Sequence, residues 1–202
     1  MTERVVECFY TLSSPWMYFA APRLREMAAR HGARVLLRPF DFPQVVPQTG
    51  GIPLRTRPQP RQDYHALELD RWRKYLRMPL NLKPAFYPPR DNKAAGRTVI
   101  AAQREGLDAP ALSHAILRAL WAEEQDIADP RTRQRIADGL GMPGERLVQL
   151  ENSAPVIAEY ADNTKRALAL GVFGAPTYVW NETLYWGQDR LDFLDRDLEA
   201  AR

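Results

Sequence analysis

The pattern of hydrophobic and polar positions divides the chain into three stretches. Val5-Val6-Glu7-Cys8-Phe9-Tyr10 is rich in β-branched and aromatic residues and is cut off by the polar run Thr11-Leu12-Ser13-Ser14-Pro15. A strand is therefore predicted to run directly into a helix start. Proline at the first helical position loses no needed donor and already has a helical φ, and a serine before it can cap the first turn. The helix is predicted from Trp16 to Arg30, with Gly32 as its stop, and Val35 to Phe40 reads as a second strand. A strand-helix-strand unit of this length implies a parallel pair joined by a right-handed crossover.

From Pro43 to Pro60 the chain is dense in Pro and Gly and has no period, which predicts a long irregular connection of the kind that often carries function. Helical spacing then recurs over Gln62 to Leu76, Asn92 to Arg104, Ala109 to Glu124, Arg131 to Leu140 and Asn152 to Leu170. After Gly171 the strand pattern returns: Pro176 to Trp180 and Leu184 to Trp186 flank the tight turn Asn181-Glu182, and a last helix runs from Asp189 or Arg190 to Ala201. The order βαβ, helical insert, ββα is that of an α/β thioredoxin-like fold with a large all-helical insertion. Residues 1–42 and 171–202 are expected to form the thioredoxin-like part, and 43–170 the inserted loop and helices.

Composition adds bounds. A chain of 202 residues suits one buried core with an elaboration. An apolar fraction of 45% and a charged fraction of 26% fit a globular protein. The formal net charge of +3 gives little support to nucleic-acid binding. No run approaches the roughly 18 apolar residues of a membrane span, and MTERVVECFY is an acid-bearing strand pattern without a basic and apolar signal segment. No membrane partner and a cytoplasmic location are expected. The single cysteine, Cys8, rules out an intramolecular disulfide and a multi-cysteine metal site, in keeping with a reducing compartment.

Candidate chemistry gathers at the two strand regions. The junction after the first strand, Ser14-Pro15-Trp16-Met17, presents N–H groups and the positive end of a helix dipole. A disulfide oxidoreductase of this topology has cysteines at the first and fourth positions of that tetrapeptide; Ser14 and Met17 exclude dithiol chemistry. Ser14 can donate to a bound thiolate, and the dipole favours an anion whose free thiol has a pKa of about 8.5. Taken alone, the same serine is an N-cap worth about 1 kcal/mol. In Val172-Phe173-Gly174-Ala175-Pro176-Thr177 the proline stands where this topology places a cis-proline facing the first helix. The residue before it turns its backbone outward to pair with a peptide; pairing of glutathione with Ala175 would aim the sulfur at Ser14. A proline opening a strand is alternatively an edge device. Trp186-Gly187-Gln188-Asp189-Arg190 offers backbone donors for a carboxylate and the Asp189 carboxylate for an ammonium, the two ends of a γ-glutamyl group.

With Ser14-Pro15-Trp16 followed by Tyr18, Glu68-Leu69 before Arg71-Trp72, Phe86-Tyr87-Pro88, and above all Gly171 to Leu194, the chain resembles the 2-hydroxychromene-2-carboxylate isomerase family over nearly its full length. More distantly it resembles kappa-class glutathione transferases; both lie in the DsbA-like branch of the thioredoxin superfamily. The resemblance implies Ser14 as the catalytic serine beside the glutathione sulfur, Ala175 and Pro176 as its backbone clamp, and Gln188 with Asp189 as the γ-glutamyl site. Arg61 aligns with a family lysine near the glycyl carboxylate, and Gly51 stands where the family often has Asn. The implied reaction is a cis–trans isomerisation in aromatic-compound catabolism: a glutathione thiolate adds to a conjugated double bond, the resulting single bond rotates, and the thiolate leaves. A homodimer is implied as well.

Trp16, Tyr18, Phe86, Tyr87 and Trp186 are candidates to wall a small aromatic or conjugated electrophile, with proline-flanked Phe86 and Tyr87 foremost. Arg57, in the basic stretch from Arg55 to Arg77, is the candidate for a substrate carboxylate. His31, His65 and His114 fall in separate elements and read as surface or packing residues, so no metal is expected, and Cys8 reads as a buried apolar residue. Two alternatives stand beside the isomerase: a kappa-like transferase that releases a conjugate, and a non-catalytic peptide-binding module that uses only the cis-proline edge.

Overall fold

The computed structural model describes residues 3–201; Met1, Thr2 and Arg202, at the outer ends of the thioredoxin-like segments, lie outside the described residues. Strand β1 (Arg4–Tyr10) leads into helix α1 (Pro15–His31) and strand β2 (Ala33–Pro39). The Ser14 side chain accepts from Met17 N–H at the start of α1, and Gly32, at φ 58°, ends it by donating to Ala28 and Ala29 carbonyls. Strands β1 and β2 are parallel and paired along their whole length, from Arg4 opposite Ala33 to Tyr10 opposite Pro39. That pairing, not local pattern, starts β2 two residues before the predicted Val35.

The last two strands, β3 (Thr177–Trp180) and β4 (Thr183–Trp186), form a hairpin whose turn residues Asn181 and Glu182 both have positive φ, 46° and 62°, the geometry that matches strand twist. β3 lies antiparallel on the other side of β1, giving the sheet order β2-β1-β3-β4. Antiparallel pairing has a consequence for function: the start of β3 and the end of β4 sit at the same sheet edge as the end of β1. Ser14, Pro176 and Gly187, far apart in sequence, are thus delivered to one edge.

Between these halves run α2 (Phe42–Val45), α3 (Gln59–Leu76), α4 (Lys93–Arg104), α5 (Ala109–Ala122), α6 (Pro130–Gly139), α7 (Gly144–Leu150) and α8 (Ala154–Ala169), and the chain closes with α9 (Leu191–Ala200). The stretch 43–60 is less irregular than predicted: α2 is capped by Asp41, and 3-10 turns follow at Val46–Thr49 and Leu54–Thr56. Elements of three or four residues leave no period to read. α7 was likewise missed, being two turns long with Pro143 at its N-cap and no side-chain cap.

One apolar cluster joins Val6, Cys8 and Tyr10 of β1, Met17 and Leu24 of α1, and Val99, Ile100, Leu112, Ile116 and Leu120 of α4 and α5, so sheet and helices share a core. Inside the helical part Arg133 and Glu151 form a buried ion pair, with Nη2 to Oε1 at 2.6 Å and side chains 1% and 5% exposed. Arg133 also donates through Nε to Glu151 Oε2 and through Nη1 to the Ile127 carbonyl, and the Thr98 hydroxyl donates to Glu151. Among the described residues no helix is long and apolar enough to cross a membrane.

Candidate functional site

Ser14 is 8% exposed. Its Oγ accepts from Met17 N–H at 3.2 Å and donates to the Ala175 carbonyl at 3.2 Å. The cap and the cross-site bond are therefore one hydroxyl with its single proton aimed at the proline loop. The Ala175–Pro176 peptide is cis, and Ala175 N–H has no backbone partner among the described residues. The loop before it is held by backbone: Thr177 hydroxyl donates to the Gly174 carbonyl at 2.8 Å, and Gly187 N–H donates to the Pro176 carbonyl at 2.9 Å.

Two glycines pack this loop. A Cβ on Gly174 would run into the Trp186 indole, which also lies edge-on to Phe173 at 4.8 Å. A Cβ on Gly51 would meet Val46 and the Phe173 carbonyl, while Thr49 donates to the Val172 carbonyl at 2.7 Å. Gly51 thus has no room for a side chain; here the loop closes on the proline segment by backbone contact. Trp186, one of the predicted wall residues, is spent on covering this loop, though half exposed.

At the other end of the edge, Gly187 (φ 109°) opens a 3-10 turn, Gln188–Arg190, ahead of α9. The N–H groups of Gln188 and Asp189 have no backbone acceptor, as first-turn donors do not. Gln188 is buried, and its carbonyl and Oε1 both accept from Arg23 of α1, at 3.1 and 2.9 Å. Asp189 is accessible and pairs with Arg190 at 2.7 Å. Two N–H groups and one accessible carboxylate thus stand at this turn, while the Gln188 side chain turns inward.

Trp16 is half-buried, 6.2 Å from Phe19 and edge-to-face with His65 at 5.3 Å. Burial and the neighbouring Arg57 charge push the His65 imidazole down from 6.5 to about 4. His65, read as a packing residue, thus links two predicted substrate residues, Trp16 and Arg57. Arg57 is partly committed to its own loop, donating through Nε to the Ile52 carbonyl at 2.7 Å. Tyr18 is a correction: 1% exposed, with its hydroxyl on the Pro79 carbonyl and its ring stacked on His114, it belongs to the core and not to a substrate wall.

The depressed His65 value gives a pH dependence. Below pH 6.5 the unfolded chain takes up a proton that folded His65 refuses until about pH 4, so stability falls as pH drops through that window. Denaturant melts of the wild type and His65→Gln should diverge there, with the variant less acid-sensitive, and proton NMR should place the His65 titration near 4. A titration near 6.5 would contradict the burial argument.

Phe86 and Tyr87 are partly exposed on the loop between α3 and α4. Glu124 holds that loop, accepting from Asn81 Nδ2 and Ala85 N–H at 2.6 Å each, and Tyr87 rests on Trp121 at 4.9 Å. Arg61 is exposed, and its side chain forms no ion pair or hydrogen bond among the described residues. Neither Phe86 nor Arg61 is bonded to the Ser14–Ala175 pair. Asn92, read in the sequence only as the start of a helical stretch, donates to Ser13 Oγ at 2.9 Å and so pins the start of α4 to the serine loop. Its signal was invisible because the partner lies 79 residues away.

A four-stranded sheet with a helix-capping serine in place of the first cysteine and a cis-proline opposite it defines a thioredoxin-like protein without a dithiol. The chain belongs to the DSBA-like thioredoxin domain family, whose model matches residues 5–199. It is 28% identical over 194 residues to 2-hydroxychromene-2-carboxylate isomerase of Sphingobium xenophagum, covering 95% of this chain and 96% of the relative. It is 22% identical over 202 residues to glutathione S-transferase kappa 1 of Rattus norvegicus, covering 95% of this chain and 89% of the relative. A solved structure of a 2-hydroxychromene-2-carboxylate isomerase superposes with a TM-score of 0.83 at 24% identity, covering 98% of this chain and 95% of that one. The fold expected from sequence, thioredoxin-like with a helical insertion, is the fold of this family.

Proposed function

We propose that this protein is a glutathione-dependent isomerase of the 2-hydroxychromene-2-carboxylate type. The observation that carries the reading is the Ser14 hydroxyl, at a helix N-terminus and 3.2 Å from the Ala175 carbonyl, in a motif that has lost both cysteines; relatives matching nearly end to end bear the isomerase name. When bound, glutathione supplies the thiol that the chain lacks at this site.

The residues fit a peptide with a γ-glutamyl end. Ala175 offers a free N–H and, once Ser14 turns away, a carbonyl, as a strand edge does. The N–H groups of Gln188 and Asp189 suit a carboxylate, the Asp189 carboxylate an ammonium, and Arg61 the glycyl carboxylate. Ser14 then redirects its proton from Ala175 to the sulfur anion while still accepting from Met17 N–H, and the dipole of α1 favours that anion. Trp16, Phe86, Tyr87 and Arg57 form the side on which a conjugated carboxylate substrate sits. Aromatic catabolism, a cytoplasmic location and a homodimer go with this reading.

Calorimetric titration with reduced glutathione tests it. Wild type should bind, and Asp189→Ala should bind about tenfold or more weakly, as expected for losing an ion-assisted hydrogen bond. No heat of binding in the wild type would overturn the reading. A second reading, conjugation of electrophiles, is favoured by the similarity to the rat kappa transferase; product analysis separates them, since an isomerase returns free glutathione and a transferase consumes it.

A further inference from the structure

We infer that Arg23 is the positioning residue for the γ-glutamyl end of the site, fixing the direction of the Asp189 backbone donor. This rests on the glutathione reading above.

Arg23 lies on α1, the helix that begins at Ser14. Its Nη1 forks between the Gln188 carbonyl at 3.1 Å and the Gln188 Oε1 at 2.9 Å, while Nη2 meets Asp192 at 3.1 Å. The guanidinium thus grips one residue by both backbone and side chain, and that residue is 2% exposed. The peptide between Gln188 and Asp189 is trans, since the cis bonds among the described residues are at Pro88 and Pro176. In a trans peptide the C=O and the following N–H point in opposite directions. Drawing the Gln188 carbonyl in toward α1 therefore turns the Asp189 N–H outward, away from α1.

The turn is held at a second point by Gly187 N–H on the Pro176 carbonyl, 2.9 Å. Between them these bonds tie the turn to the proline loop on one side and to α1 on the other. The serine end and the γ-glutamyl end of the site are consequently mounted on one helix, α1, with Pro22 lying between Ser14 and Arg23. Both Gln188 oxygens are engaged by Arg23, and the residue serves as the arm that Arg23 holds.

The test uses the full chain, Arg23→Met, Arg23→Lys and Asp192→Asn, each titrated with glutathione and with cysteinylglycine, which lacks the γ-glutamyl group. Wild type should prefer glutathione. Arg23→Met should weaken glutathione binding about tenfold or more, the worth of a charged hydrogen bond, and leave cysteinylglycine unchanged, so the preference collapses. Arg23→Lys, a single point donor unable to fork, should fall between and serves if the Met variant does not fold. Asp192→Asn leaves the fork in place and should keep the preference. Glutathione binding by Arg23→Met or Arg23→Lys equal to wild type, or equal loss of both peptides, overturns the positioning role while the glutathione reading stands; absence of binding in the wild type overturns both.

Discussion

Ser14→Ala is expected to lower turnover of 2-hydroxychromene-2-carboxylate by about 100- to 1,000-fold, the range found when one preorganised donor to a developing or bound anion is removed. The hydroxyl in question has two duties, capping Met17 N–H and bonding the Ala175 carbonyl, so a stability loss of about 1 kcal/mol should accompany it. The two effects separate cleanly. Loss of a cap lowers the melting temperature and leaves saturated turnover intact, whereas loss of the thiolate donor lowers turnover at saturating glutathione in protein that is fully folded. Ultraviolet absorbance of the bound thiolate gives an independent reading: it should titrate at higher pH in Ser14→Ala than in wild type. Retained turnover with a normal thiolate titration would reduce Ser14 to its capping role.

Glu151→Ala is expected to cost about 3–5 kcal/mol, because it strands the Arg133 guanidinium in the core without its counter-charge. Arg133 is 1% exposed and sends three donors to Glu151 and Ile127, while Thr98, which loses Glu151 in the same step, keeps the Ala94 carbonyl as an acceptor. In a chain of this size the melting temperature should fall by roughly 6–20 °C. The double variant Arg133→Met with Glu151→Leu should recover most of that loss, since replacing a buried pair by apolar side chains is often neutral. Differential scanning calorimetry decides it; a double variant as unstable as the single one would mean that the pair itself, and not the abandoned charge, sets the stability.

The first helix, the hairpin and the topology were legible because each is written locally: Ser14-Pro15 and Gly32 bracket α1, and Asn181-Glu182 sits between two apolar runs. Ser14, Ala175, Pro176 and Asp189 could be named from the same signals, since strand ends and turns mark this edge of the sheet. What could not be read is whatever depends on distant pairing. Arg23 meets Gln188 across 165 residues and Asn92 meets Ser13 across 79, and an Arg on a helix or an Asn before one carries no mark of its partner. Tyr18 was misjudged for a related reason: an aromatic ring one turn into an active-site helix looks the same in sequence whether it faces the cleft or the core. The helix α7 escaped because seven residues make too few turns to show a stripe.

Cys8 is wholly buried beside Met17 in the middle of the sheet, and burial pushes its thiol pKa far up. The chain holds no other cysteine, so it presents no accessible thiol of its own to alkylating compounds. On the glutathione reading proposed above, this would move chemical wear off the polypeptide: a thiol spoiled in service would belong to a small molecule, and would be replaced by diffusion instead of by new protein synthesis.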